Sequence, residues 1–145
     1  MAADRHASVD NLGFLLAKAS QRWNELLYDE FVGEGFLEVR PAYGSILLPL
    51  FEENGLRMGE LGARARLSKQ TMTTLVRLME RNGLVERTRD PADGRAFRVS
   101  LTERARAFEA VAERVLARLD ERVASRLSSA DRTVLANSLK EVMSL

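Results

Sequence analysis

The spacing of apolar residues changes once along this chain, and that change sets its class. Up to Asn82 the apolar side chains recur at three and four, as in helices with one buried face. From Leu84 to Leu101 the period falls to two. Phe97, Val99 and Leu101 alternate with Ala96, Arg98 and Ser100, and Leu84 to Arg89 leads into the turn-rich Asp90-Pro91-Ala92-Asp93-Gly94. Two such runs around such a turn predict a β-hairpin, and no other sheet is evident. After Thr102 the helical spacing returns. The expected fold is mainly α, with about six helices and one small hairpin.

The helices can be bounded by their punctuation. Leu12, Leu15, Leu16, Ala19, Trp23, Leu26, Leu27 and Phe31 mark a long first helix over Asp10–Phe31, with Gly33 and Gly35 as stop signals. Pro41 suits the first turn of a second helix reaching about Glu53, which Pro49 should kink or shorten by removing a donor. Residues 57–66 read as a short third helix. Ser68 caps a fourth that runs through Arg81 to Gly83, with Leu84 supplying the apolar residue after the turn. Thr102 caps a very long fifth helix whose apolar residues approach a coiled-coil seam. Ser128 with Asp131 opens a last amphipathic helix. Chain 1–145 is expected to be one unit, with a mixed lobe over 36–101 flanked by helical segments at 9–32 and 102–145.

Composition closes several routes. With 145 residues, 46% of them hydrophobic, the chain can bury a core without crosslinks. It has no cysteine and one histidine, His6, which excludes disulfides, thiol chemistry and thiolate metal sites. No cofactor, metal or catalytic set is expected. Glu52-Glu53 cannot form an acid–base couple, since adjacent helical positions do not face each other, and they read as solvated helix-end charges. Gly33-Glu34-Gly35 lacks the third glycine and the preceding strand of a phosphate loop. The apolar run Ile46–Phe51 is too short for a membrane span, and the first ten residues lack a signal-peptide core, so a cytoplasmic protein is expected.

The net charge of +1 predicts no partner, but its distribution does. Residues 57–106 hold 12 basic and 6 acidic side chains, or +6, leaving 10 basic and 15 acidic, or −5, elsewhere. A basic segment within a small domain suits a face that meets a polyanion, although 19 of the 22 cations are Arg, as in an arginine-biased genome. Within that segment Met72, Leu75, Val76 and Met79 form an apolar stripe at i, i+3, i+4 and i+7. Gln70, Thr73, Thr74 and Arg77 repeat the spacing two residues earlier, a rotation of roughly 200°. One stripe should be anchored and the other presented to base edges, with Ser68, Lys69 and Thr71 at the positive helix end for phosphates. An ordinary solvated helix face is the plain alternative. The following hairpin gathers Arg87, Arg89, Arg95 and Arg98, with Asp93 beside them. Such a tip can enter a minor groove, or stay a solvated turn with Asp93 paired to Arg95.

A short helix, a tight turn at Arg66-Leu67, a second helix and a basic hairpin compose a winged helix-turn-helix. The stretch MGELGARARLSKQTMTTLVRLMERNGLVERTRDPADGRAFRVSLTERAR resembles the core of the MarR (multiple antibiotic resistance regulator) transcription factors. Glu60-Leu61, Gly83-Leu84-Val85, and the wing residues Asp93, Arg95, Leu101 and Thr102 carry the likeness, which is specific over residues 56–106. It implies a homodimer built from the first and last two helices, with recognition helices in adjacent major grooves of double-stranded DNA and Arg95 in a minor groove. It also implies a small-molecule effector between the dimerisation helices and the DNA lobe. Arg57 and Met58 stand where the family usually caps its helix with Thr or Ser, and Gly62 replaces a common Ala. The branch that senses oxidants through cysteine is closed to this chain.

Trp23, Tyr43, Leu47 and Phe108 are candidate walls of an effector pocket for a small aromatic or phenolic ligand, with core packing as the plainer role. The rival function is a winged helix used to dock a protein, without direct DNA binding.

Overall fold

A computed structural model describes residues 8–145; His6 and the rest of the first seven residues lie outside the described residues. The first helix, α1, spans Leu12–Gly33, two residues later at each end than the periodicity suggests. Its start is set by Asn11, whose side chain accepts a hydrogen bond from the Phe14 N–H at 2.9 Å. Its end is set by Gly35, whose φ of 86° lets the Phe36 N–H return to the Phe31 carbonyl at 2.9 Å. Pro41–Tyr43 forms a 3₁₀ turn, and α2 follows at Gly44–Glu52. The helix is nine residues long because Pro41 opens the 3₁₀ turn and not the α-helix itself; Pro49 does not end it, since three residues of helix follow the proline.

The remaining elements are β1 (Leu56–Arg57), α3 (Met58–Ala65), α4 (Lys69–Arg81), β2 (Val85–Arg89), β3 (Phe97–Leu101), α5 (Glu103–Ala124) and α6 (Ser129–Met143). The expected hairpin is present, with Val85 opposite Leu101 and Arg89 opposite Phe97. It is not the whole sheet, however. β1 adds antiparallel to β3 as an edge strand, in the order β1-β3-β2, with Leu56 opposite Val99. Two residues cannot display an alternation, so this strand leaves no period in the sequence. Its signature is Leu56, 3% exposed against the fully buried Val99.

One core joins the two parts of the chain. Leu61 of α3, Met79 of α4, Leu84 and Val99 are fully buried, and Tyr43, Ile46, Leu47 and Leu50 bring α2 into the same cluster. Burying a leucine- or isoleucine-sized side chain contributes about 1.5–3 kcal/mol, so this cluster sets the relative placement of α2, α3, α4 and the sheet. α1 packs on α5 through Phe31 and Phe108, whose rings meet edge to face at 4.8 Å. Arg118 adds ion pairs to Glu30 at 2.8 Å and Glu34 at 2.9 Å. At this exposure such pairs fix register more than they stabilise.

α6 buries none of its residues. Val134, Leu135, Leu139 and Met143 are 64, 46, 39 and 51% exposed, and Leu12 and Leu15 at the opposite end of the chain are similarly open. Among the described residues no helix is long and apolar enough to cross a membrane, and no three His, Asp or Glu side chains cluster as a metal site.

Candidate nucleic-acid interface

The interface is built on α3, the turn after it, α4 and the β2–β3 hairpin. α3 starts at Arg57, which gives no side-chain cap, so the departure noted in the sequence leaves that end unsatisfied by a hydroxyl. Arg66 ends the helix in the left-handed region at φ 56°, and the Leu67 N–H closes back on the Gly62 carbonyl at 3.1 Å. Gly62 is buried under α4. A Cβ there would stand 3.2 Å from Met72 Cγ, so the absent methyl is what lets the two helices approach.

Ser68 caps α4 as expected. Its oxygen accepts the Thr71 N–H at 3.2 Å while its hydroxyl donates to Thr71 Oγ1 at 2.9 Å. Met72, Val76 and Met79 are 2, 1 and 0% exposed, with Leu75 half-buried beside them. On the other side Gln70, Thr74 and Arg77 are exposed and Thr73 is half-buried. Lys69 is exposed at the helix start. The Thr73 hydroxyl donates to the Lys69 carbonyl at 3.0 Å and that of Thr74 to the Gln70 carbonyl at 3.1 Å. With their protons engaged, both threonines offer methyl groups and oxygen lone pairs to a neighbour. That chemistry matches thymine methyls and the exocyclic amino groups of adenine and cytosine. Arg77 and Gln70 have no side-chain hydrogen-bond partner among the described residues.

The four hairpin arginines do not gather at one tip. Arg87 pairs with Glu80 of α4 at 2.7 Å, and it and Arg89 lie 5.4 and 5.6 Å from the centre of the Phe97 ring. Arg98 donates to the Gly55 carbonyl at 2.8 Å and approaches Asp90 at 3.3 Å, at the root of the hairpin. Arg89 closes the turn through the Gly94 carbonyl at 2.8 Å. Asp93 accepts the backbone N–H of Arg95 at 3.0 Å instead of pairing with its guanidinium, which leaves the Arg95 side chain exposed near the tip.

Between α3, the start of α4 and the hairpin runs an open groove of about 930 Å³. Arg57, Arg66, Lys69, Arg87 and Arg95 border it, against one carboxylate, Glu60. From the sequence Arg57 and Arg66 read only as residues at the ends of the third helix and Arg87 only as a wing charge, since their convergence on one groove depends on the packing of α3 against the sheet. A five-to-one ratio of cations to carboxylates around an open groove favours an extended anionic ligand over a neutral one.

The candidate effector residues are not brought together around one cavity. Tyr43, Leu47 and Phe108 are 1, 1 and 3% exposed and belong to the core. Trp23 instead borders a cleft with Leu26, Leu119 and Leu127, rimmed by Arg22, Arg122 and Arg126. Glu53, read as a solvated helix-end charge, is exposed at the end of α2 and also pairs with Arg64 of α3 at 2.5 Å.

Two helices joined by a tight turn, the second locked by its methionines and flanked by a three-stranded wing, define a winged helix-turn-helix protein. Residues 39–96 match the model of the MarR family. The chain is similar to that family over this segment. It is similar to the HTH-type transcriptional regulator TtmR of Methylorubrum extorquens, 39% identical over 64 residues, which are 44% of this chain and 33% of that protein. The chain spans between 33 and 58% of the length of the first curated relatives it matches. Among solved structures it resembles the PcaV regulator of Streptomyces coelicolor in complex with its natural ligand. The TM-score is 0.82 at 25% identity, covering 99% of this chain and 98% of PcaV. It also resembles the transcriptional repressor CouR bound to a 23-mer DNA duplex, with TM-score 0.79, 25% identity, and 95 and 99% coverage.

Proposed function

We propose that the chain is a cytoplasmic, sequence-specific DNA-binding transcriptional regulator, a repressor that acts as a homodimer on a pseudo-palindromic operator. The observation that carries this is the two-faced α4: Met72, Val76 and Met79 are locked in the core while Gln70, Thr74 and Arg77 stand in water. A side chain reads a base only from a helix that does not yield, and this one is anchored along its length. Gln70, Thr73, Thr74 and Arg77 read base edges in the major groove. Ser68, Lys69 and Thr71 hold phosphates, and Arg95 enters the minor groove, with Arg89 and Asp93 shaping its loop. Arg98 supports the wing from its root.

Residues 36–101 form the DNA lobe, and 9–32 with 102–145 the dimerisation region. The apolar stripe on α6 and the open leucines of α1 are the surfaces a second copy covers, since a face of this kind left in water invites association. CouR bound to duplex DNA supports the DNA-binding function, and PcaV with its natural ligand supports release by a small effector. For this chain we propose a small aromatic or phenolic molecule, and the Trp23 cleft is the opening whose apolar wall and arginine rim suit it.

Selection of bound sequences from a random duplex pool tests the proposal. Two half-sites of inverted sequence about 10 bp apart are expected. A pool that shows no enrichment refutes sequence reading, and the rival protein-docking function then stands.

A further inference from the structure

Asp90 is the single buried charged side chain in the described residues, 2% exposed at the point where β2 turns into the wing. Its Oδ1 accepts the Ala92 N–H at 2.9 Å, which shapes the turn itself. Its Oδ2 lies 2.5 Å from Arg57 Nε and 3.3 Å from Arg98 Nε. These two arginines sit opposite each other across β1 and β3. Like charges in that relation repel, and a buried carboxylate without counter-charge is costly, so each side of the cluster needs the other. Arg57 is also the residue from which α3 starts, and Arg98 reaches on to the Gly55 carbonyl before β1. The Asp90 backbone N–H meanwhile donates to the Ala96 carbonyl at 2.9 Å, and the Ala96 N–H to the Asp93 carbonyl at 3.0 Å. One carboxylate therefore ties the wing turn to the first helix of the helix-turn-helix.

We infer that Asp90 is a positioning residue that fixes the wing relative to α4, and so fixes where Arg95 stands when α4 lies against DNA. A two-stranded ribbon joined to the body only through its strands can pivot at its root. Here the pivot is closed by a charged tie to α3, the helix whose turn delivers α4. The consequence for DNA rests on the function proposed above, but the fixed placement of the wing does not.

The two parts are tested separately. The chain has no cysteine, so Gly94→Cys and Arg81→Cys give a unique pair of spin-label sites on the wing tip and α4. At Gly94 an added Cβ meets nothing within 4 Å. With labelled protein diluted in unlabelled protein, a narrow distance distribution is expected, broadened by Asp90→Asn and also by Arg57→Gln. The latter leaves Arg98 to neutralise the carboxylate, so it stays informative if Asp90→Asn fails to fold. A distribution as narrow in a folded variant as in the parent overturns the inference. On DNA, Asp90→Asn should lose the same minor-groove protection as Arg95→Ala, keep the major-groove protection, and weaken binding no further when combined with it. Additive losses would overturn action through Arg95. Unchanged DNA contacts with a broadened distance would instead count against the proposed role of the wing in DNA binding.

Discussion

The side-chain amide of Asn82, at the C-terminal cap of α4, donates to the hydroxyl of Tyr43 at 2.9 Å and to the Glu38 carbonyl at 3.3 Å. Tyr43 is 1% exposed, so its hydroxyl can find a partner only inside the protein. The end of the candidate recognition helix is thereby tied to the segment between α1 and α2. Tyr43→Phe should cost about 1 kcal/mol and lower the melting temperature by about 3 °C. An unchanged melting curve would mean that this bond contributes nothing.

Arg77 and Lys69 should fail differently. Arg77→Ala is expected to cost about 1–3 kcal/mol on the preferred duplex and relax preference at one base position. Lys69→Ala should weaken every sequence alike and reduce the salt slope by about one. Titrations on matched and scrambled duplexes separate the two, and a uniform loss for Arg77→Ala removes it from base reading.

Much of this interface was legible in the sequence. Met72, Leu75, Val76 and Met79 declare the buried face of α4 because helical spacing alone puts them on one side, and Phe97, Val99 and Leu101 declare β3 for the same reason. Leu84 after Gly83 foretold the turn the structure contains, with Gly83 at φ 73° and the Leu84 N–H on the Met79 carbonyl. What stayed hidden depends on contacts between distant residues. Asp90, inside a turn-rich segment, reads as solvated until Arg57 and Arg98 are seen to converge on it. Arg87 and Arg98 read as tip charges until Glu80 and Gly55 are found beside them. By composition Tyr43, Leu47 and Phe108 suit a core more plainly than a pocket wall, and packing places all three in the core.

Acid should weaken the fold through three carboxylates. The Ala92 N–H, with the Arg57 guanidinium, holds Asp90 below the usual carboxylate range; Arg104 does so for Glu38 and Arg118 for Glu34. Each group binds its proton more readily when unfolded. Its contribution is therefore complete above the ordinary carboxylate pKa of about 4 and is lost as pH falls through the lowered folded value. Urea midpoints measured from pH 7 to pH 3 should hold down to about 4 and then drop, and the drop should be shallower in Glu38→Gln. Equal slopes would exclude Glu38.

Gly62→Val should destabilise by about 1–3 kcal/mol, because the added carbons meet Met72 where a Cβ already stands at 3.2 Å. Thermal unfolding checks this, and a neutral result would mean that α3 and α4 can separate without loss.

Leu139→Glu places a charge in the apolar stripe of α6. It should weaken self-association by about 100-fold, as expected for an unpaired charge forced into an apolar contact, and DNA affinity should fall with it. Sedimentation at several concentrations reads the outcome. A variant that remains as tightly associated as the parent would exclude this face from the dimer.

Equilibrium binding to a selected duplex and to its scrambled counterpart, at 50 and 200 mM salt, tests the outward face of α4 most directly. The selected duplex should bind at least about 10³-fold more tightly, and both affinities should fall steeply with salt, by about 10³ to 10⁵ if six to ten phosphates are contacted. Equal affinity for the two duplexes, or binding indifferent to salt, would contradict a face built to read DNA.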